Sequence, residues 1–278
     1  HKYFLKLYFL NNCDIVLIPM FQTKYRKIFL IIIFILLGSF LRFYQLNFEN
    51  YWLDEQISFW VADPHLSLKE TFNRNIYINQ GPHLIFSLIL KLYFKIFSYD
   101  PDIGRIIPLL FGILSIPAAG YLSYQISKNK SYLLTLFLIS INIYLINYSQ
   151  ETRVYSLIFL LSIINLIFYY KILYLNNFKS GNFKIFIFFT LFSIISLWLS
   201  PFVLIILFSQ ILYCLYTFVF FKIKHYLFLL SLPLILVIYF LFSYDFILSE
   251  LISKRSHFID HINLHFFYDL FFSRFFGS

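Results

Sequence analysis

The chain has 278 residues, 60% of them hydrophobic and only 13% charged, with 39 Phe, 23 Tyr and a mean hydropathy of +0.77. No soluble domain of that length needs so much apolar surface, and strand-type alternation is absent, which argues against a membrane β-barrel; the composition predicts an all-α polytopic membrane protein. The net charge of +9 raises nucleic acid as a partner, but its placement along the chain argues against one, and of the two cysteines Cys214 lies inside an apolar run, which speaks against a disulfide framework.

In chain order, residues 1–23 form an N-terminal segment with no assigned role. The only methionine, Met20, is followed by Lys24, Arg26 and Lys27 and then by an apolar run, the pattern of a natural start with a positive flank, so residues 1–19 are given no function. The first expected span, Ile28–Leu46, is too long for a signal-peptide core and reads as a retained anchor. A long loop follows, Asn47–Arg105, containing Tyr51-Trp52-Leu53-Asp54-Glu55 and an ambiguous run, His83–Ser98. The polar residues of that run, His83, Ser87, Lys91 and Lys95, recur every four positions and form one stripe on a helix. Its sixteen residues rise only ~24 Å against a hydrocarbon core of ~30 Å. With Pro82 suited to a first helical turn, it is expected to lie in the membrane interface, both lysines turned to water. Six further spans are expected at Ile106–Tyr124, Tyr132–Tyr148, Val154–Leu173, Ile185–Leu199, Phe202–Phe221 and Tyr226–Phe246, making seven, with residues 247–278 beyond them.

Parity supports this count. If His83–Ser98 does not cross, Lys24/Arg26/Lys27, Lys128/Lys130, Lys171/Lys179/Lys184 and Lys222/Lys224 share one side with no acid among them, and every acidic residue except Asp14 falls on the other. The positive-inside rule makes the basic side cytoplasmic. Polar chemistry then collects outside, in the first loop, in the tight turn Ser149-Gln150-Glu151-Thr152-Arg153, and in the tail.

Asp54 and Glu55 lead the candidate residues, because carboxylates are costly near hydrocarbon and a fixed pair at its boundary suggests a task. One acid can serve as general base while the other is held by a cation. Glu151 and Arg153 read either as a capping turn or as a second charged wall facing the first loop. Arg105 and Arg42, at span ends, suit snorkelling anchors or a bidentate clamp on phosphate. His83, beside Gln80-Gly81-Pro82, is a further candidate. In the tail, His257, His261 and His265 share a helix face as a metal site requires, but that spacing equally suits the wet side of an interfacial helix, and no metal site is assigned.

The order of these features resembles the GT-C membrane glycosyltransferases, in particular the protein-mannosyltransferase and aminoarabinose-transferase group. The matching elements are Trp52-Leu53-Asp54-Glu55, Gln80-Gly81-Pro82-His83-Leu84, Arg105 ahead of Gly112-Ile113-Leu114-Ser115-Ile116, and Tyr148-Ser149-Gln150-Glu151-Thr152-Arg153-Val154-Tyr155. The likeness covers about Lys24 to Phe246, a module over residues 24–246. The family usually continues with further spans where this chain stops at Ser278, so the resemblance implies a fragment of a longer enzyme. It implies transfer of a sugar from a polyprenyl-phosphate donor to a lipid, glycan or protein acceptor, on the extracytoplasmic face of a bacterial or archaeal plasma membrane. Asp54 is then the catalytic base, with Glu55 and Glu151 beside it, and Arg153, Arg105, His83, Gln150 and Tyr155 bind substrate. No cofactor is assigned, and the need for a divalent metal ion is left open. The alternatives are a transporter, which needs ionisable groups inside the spans, and a non-catalytic lipid-binding or assembly subunit of the same fold.

Overall fold

A computed structural model of the chain describes residues 25–79, 83–127, 131–173, 180–200, 202–221, 228–229 and 231–241. The chain divides into two units, His1–Tyr239 and Phe240–Ser278; the second is described only at Phe240 and Leu241, and the site lies wholly in the first. The expected histidines of the tail and Gln80-Gly81-Pro82 lie outside the described residues.

The described residues fold as helices without strands. They are α1 (residues 25–43), α2 (Leu53–Val61), α3 (Leu68–Asn79), α4 (Leu84–Ile96), α5 (Pro101–Gly104), α6 (Ile106–Ser127), α7 (Tyr132–Ile141), α8 (Ile143–Gln150), α9 (Tyr155–Leu173), α10 (Ser180–Leu199), α11 (Val203–Phe221) and α12 (Ser231–Leu241). Three of them are long and apolar enough to cross a membrane: α5 running into α6 (Pro101–Ser127), α9, and α11 over Val203–Phe220. A fourth is added if α7 and α8, bent by 54°, count as one span. The chain is a helical membrane protein. Of the other expected spans, α1 carries Arg26, Lys27 and Arg42, α10 is apolar over Phe183–Leu199, and the last run is described in part, as α12.

The expected single span Tyr132–Tyr148 is thus two helices. Breaking a helix orphans its last carbonyls and the next helix's first N–H groups. Side chains meet part of each set here. The buried Arg42 donates from Nη1 to the carbonyl of Ser140 at 3.1 Å and from Nη2 to that of Ile139 at 3.0 Å, closing the end of α7. Asn142, at the break, accepts from the N–H of Leu145 at 3.0 Å and opens α8. Arg42 therefore turns inward instead of snorkelling to a headgroup. Gly112 of α6 makes room for this corner: a Cβ there would overlap Ser149 of α8.

The first loop is itself folded. α4 forms where the interfacial helix is expected, but its polar stripe is not turned wholly to water. Ser87 and Lys91 are buried, and the Lys91 ammonium donates to the carbonyls of Asp63 and Leu66 in the α2–α3 connection at 2.5 and 2.8 Å. Only Lys95 of the two lysines is exposed, and the outer face of α4 carries Leu88, Leu92 and Ile96. Phe86, Leu90 and Phe94 bury the other face with Ala62, Val154, Leu157 and Leu199, each large side chain worth about 1.5–3 kcal/mol if drawn from water. This packing fixes the loop, and α2 with it, against the start of α9.

Inside the bundle, α9, α10 and α11 are joined by an uncharged polar cluster. Asn165 donates to Ser193 at 2.6 Å, Gln210 donates to Asn165 at 2.7 Å, and the Tyr169 hydroxyl donates to the carbonyl of Gln210 at 3.0 Å. In hydrocarbon such bonds hold helices in register where apolar packing alone does not discriminate.

Candidate functional site

Asp54 and Glu55 occupy the first turn of α2, where their charge suits the helix N-terminus. Neighbours on a helix point about 100° apart, and the two acids part accordingly. Glu55 points inward and is fully buried. It accepts from Arg105 Nε at 3.0 Å and Nη2 at 2.7 Å, and from the N–H of Thr152 at 2.7 Å. Arg105 has no donor to spare for a ligand, because Nη1 also bonds the carbonyls of Leu46 and Glu49 at 2.9 and 2.8 Å and the second hydrogen of Nη2 reaches the carbonyl of Asn50 at 3.5 Å. Tyr51 lies under this pair, its ring 4.9 Å from the guanidinium and its hydroxyl donating to the carbonyl of Pro101 at 2.6 Å. With that proton committed, the Thr152 hydroxyl donates to the Tyr51 oxygen, 2.7 Å away. A Cβ on Gly104 would overlap the Tyr51 hydroxyl, so the short α5 must carry glycine there.

Asp54 points outward and pairs with Arg153 at 2.8 Å. Arg153 also donates to the Tyr155 hydroxyl at 3.1 Å, and its guanidinium lies 5.7 Å from the Trp52 ring and 5.3 Å from that of Tyr155. Between these clusters runs a three-residue turn, closed by the N–H of Arg153 on the carbonyl of Glu151 at 2.7 Å. Thr152 at its centre is fully buried, while Glu151 and Arg153 stay partly exposed on either side. The Glu151 carboxyl is pushed up, first by burial and then by the negative charge of Glu55.

His83 heads α4 in a left-handed conformation, φ 75°, rare outside glycine and asparagine. Burial and the charge of Arg153 depress its pKa to about 4, so the ring is neutral at physiological pH, and its Nδ1 is buried without a partner among the described residues. Gln150, another expected binding residue, serves the frame: its amide donates to the carbonyls of Arg42 and Tyr44 at 3.0 and 2.8 Å and ties α8 to α1.

Two grooves flank the turn. One, of about 490 Å³, runs between the end of α1 and α8 and is lined by Gln45, Glu49, Trp52, Asn147 and Glu151 with Glu55 and Arg105 at its floor. The other, of about 460 Å³, is almost wholly apolar, lies among α6, α8, α9 and α11, and has Tyr148 and Tyr155 at the end nearest Arg153. Among the described residues no three His, Cys, Asp or Glu side chains come together as a metal site would require.

Asp54, Arg153 and Tyr155 are therefore in direct contact, Glu55 and Arg105 form the buried pair behind them, Glu151 adjoins both, and His83 lies within the field of Arg153. Sequence reasoning gave no role to Trp52, Tyr51 or Thr152. An aromatic pair flanking an acidic pair was the one available signal for the first two; a threonine inside a polar turn gives none. The chain matches no family model, no curated protein and no solved structure. What the fold and site define is a class: a helical membrane protein with a charged cluster, partly exposed, at the head of its α9 helix.

Proposed function

We propose that the chain is a glycosyltransferase that moves a sugar from a polyprenyl phosphate to an acceptor hydroxyl at the extracytoplasmic face, with seven spans and a GT-C-like arrangement. The observation that carries the reading is the Asp54–Arg153 ion pair beside the apolar groove, with Tyr155 joined to both arginine and groove. A prenyl chain suits that groove, and a guanidinium at its mouth suits the phosphate that follows the chain. Arriving phosphate competes with Asp54 for Arg153 and frees the carboxylate. The acceptor oxygen then attacks the anomeric carbon, its proton passes to Asp54, and the bond from anomeric carbon to phosphate oxygen breaks with its electron pair on the phosphate. Arg153 offsets that charge, and one displacement inverts the anomeric centre. Arg105 is positioned to hold Glu55 and the turn instead of the phosphate, and a metal step is not needed. The transporter alternative is less well supported, since the buried cluster of Asn165, Ser193 and Gln210 is uncharged.

The test is transfer from a radiolabelled polyprenyl-phosphate sugar in membranes holding the chain. Asp54→Asn should abolish most turnover at unchanged protein level. Arg153→Ala should lower it by about one to two decades through loss of a charged hydrogen bond worth ~1.5–3 kcal/mol, chiefly in donor dependence. Equal turnover by wild type and Asp54→Asn would remove the assignment.

A further inference from the structure

The polar groove beyond Trp52 has no part in the donor chemistry just described. Its volume, about 490 Å³, is within the range of small-molecule sites, roughly 300–1,000 Å³. Its charge is one-sided. The Glu55 carboxylate at the floor is neutralised by Arg105, but among the described residues no side chain bonds the carboxylates of Glu49 or Glu151. With three carboxylates against the one guanidinium of Arg105, the lining is net negative and repels phosphate, so the donor headgroup is directed to Arg153, on the other side of the turn. The remaining lining is an aromatic plane with amides at its edge: Trp52 is 47% exposed, and Asn147 and Gln45 are both exposed, Gln45 held in a left-handed conformation, φ 57°, that turns the chain out of α1 around the groove.

That combination matches one ligand chemistry. A pyranose has an apolar C–H face, which an indole covers, and a rim of hydroxyl donors, which carboxylates and amide oxygens accept. We propose that this groove binds a carbohydrate, uncharged or amine-bearing, and that it is the sugar of the acceptor, seated on Trp52 with a hydroxyl or ammonium donated to Glu151. The assignment to the acceptor rests on the transferase reading; the binding of sugar does not. Glu151 suits the role because its raised pKa makes it a better hydrogen-bond acceptor than an ordinary exposed glutamate. The turn that carries Glu151 also carries Arg153, so the groove opens beside the place where a phosphate would leave.

The experiment uses a variant with Trp52 as its only tryptophan, Trp60→Phe with Trp198→Phe, purified in lipid nanodiscs and checked for an unchanged melting temperature. Its fluorescence is titrated with methyl glucoside, glucosamine and glucuronate. The expected result is a saturable response to the first two, an affinity for glucuronate weaker by tenfold or more, and a loss of at least tenfold in affinity for glucosamine on Glu151→Gln. A second measurement is alkylation of Asn147→Cys by maleimide, which bound methyl glucoside should slow. Farnesyl phosphate, lipid and phosphate without sugar, should bind without displacing glucosamine. No saturable response and no protection, a response to glucuronate equal to the others, or displacement by farnesyl phosphate would each overturn the proposal. Sugar binding without any transfer would instead remove the transferase reading and leave the groove as a carbohydrate site.

Discussion

Removing Arg105 should damage the chain through Glu55, not through a substrate. In Arg105→Ala the fully buried Glu55 carboxylate keeps only the Thr152 N–H as a partner, and the carbonyls of Leu46 and Glu49 lose their donor. Stranding one member of a buried pair costs about 3–5 kcal/mol. Against a total stability of the order of 5–15 kcal/mol, that is a large fraction, and each kcal/mol moves the midpoint by about 2–4 °C in chains of this size. Arg105→Lys should fall between wild type and alanine, since an ammonium supplies charge without the fork that serves two carboxylate oxygens and two carbonyls together. The informative variant is the double one, Arg105→Met with Glu55→Leu. Replacing both ions by apolar groups removes the stranded charge, and such replacements are often neutral. The double variant should therefore melt above Arg105→Ala, although the Thr152 N–H then lacks its acceptor, a cost of about 1–3 kcal/mol. The assay is thermal unfolding in nanodiscs, scored by solubility after heating. Loss of donor binding in Arg105→Ala at an unchanged midpoint, or a double variant no better than the single, would refute the argument and restore Arg105 as a ligand-binding residue.

Two further outcomes are expected. His83 has its pKa lowered to about 4 from the ordinary 6.5, so the unfolded chain binds the proton first as pH falls; stability should be intact above pH 6.5 and decline between pH 6.5 and 4 with an added slope of up to about 1.4 kcal/mol per pH unit, a slope that His83→Asn should abolish while keeping the left-handed turn. Parallel melting curves for the two proteins across that range would show that the ring does not titrate as a buried group. Gly112→Ala should cost about 1–3 kcal/mol by driving a methyl into Ser149, and Ser149→Gly should recover part of it; equal melting of single and double variants would show that the α6–α8 contact gives way freely.

Helix type was legible in the sequence because apolar runs of about twenty residues leave few alternatives. The break at Asn142 was not, since Tyr132–Tyr148 is apolar on both sides of it. Its cause is one asparagine that caps its own successor helix and one arginine ninety-eight residues away from Ser140 that closes the preceding one. The stripe on α4 shows a related limit. Period four places His83, Ser87, Lys91 and Lys95 on one helix face, but which faces are covered depends on what packs there. The carbonyls of Asp63 and Leu66 face that side of α4, and Lys91 is long enough to reach them.

The pair Asp54-Glu55 illustrates why the site exceeded its sequence. Spacing shows two acids on a helix turn and their divergence, but nothing in the spacing says which acid meets Arg105 and which meets Arg153, or that Thr152 will fix the second loop to the first. Once Glu55 is bonded to Thr152, the residues on either side of Thr152 stay partly exposed, Glu151 in the lining of the polar groove and Arg153 on the hydroxyl of Tyr155, which lines the apolar one. A buried carboxylate thereby sorts the exposed charges of a turn that it does not itself expose, which makes Glu55 a positioning residue whose loss should disturb both grooves together.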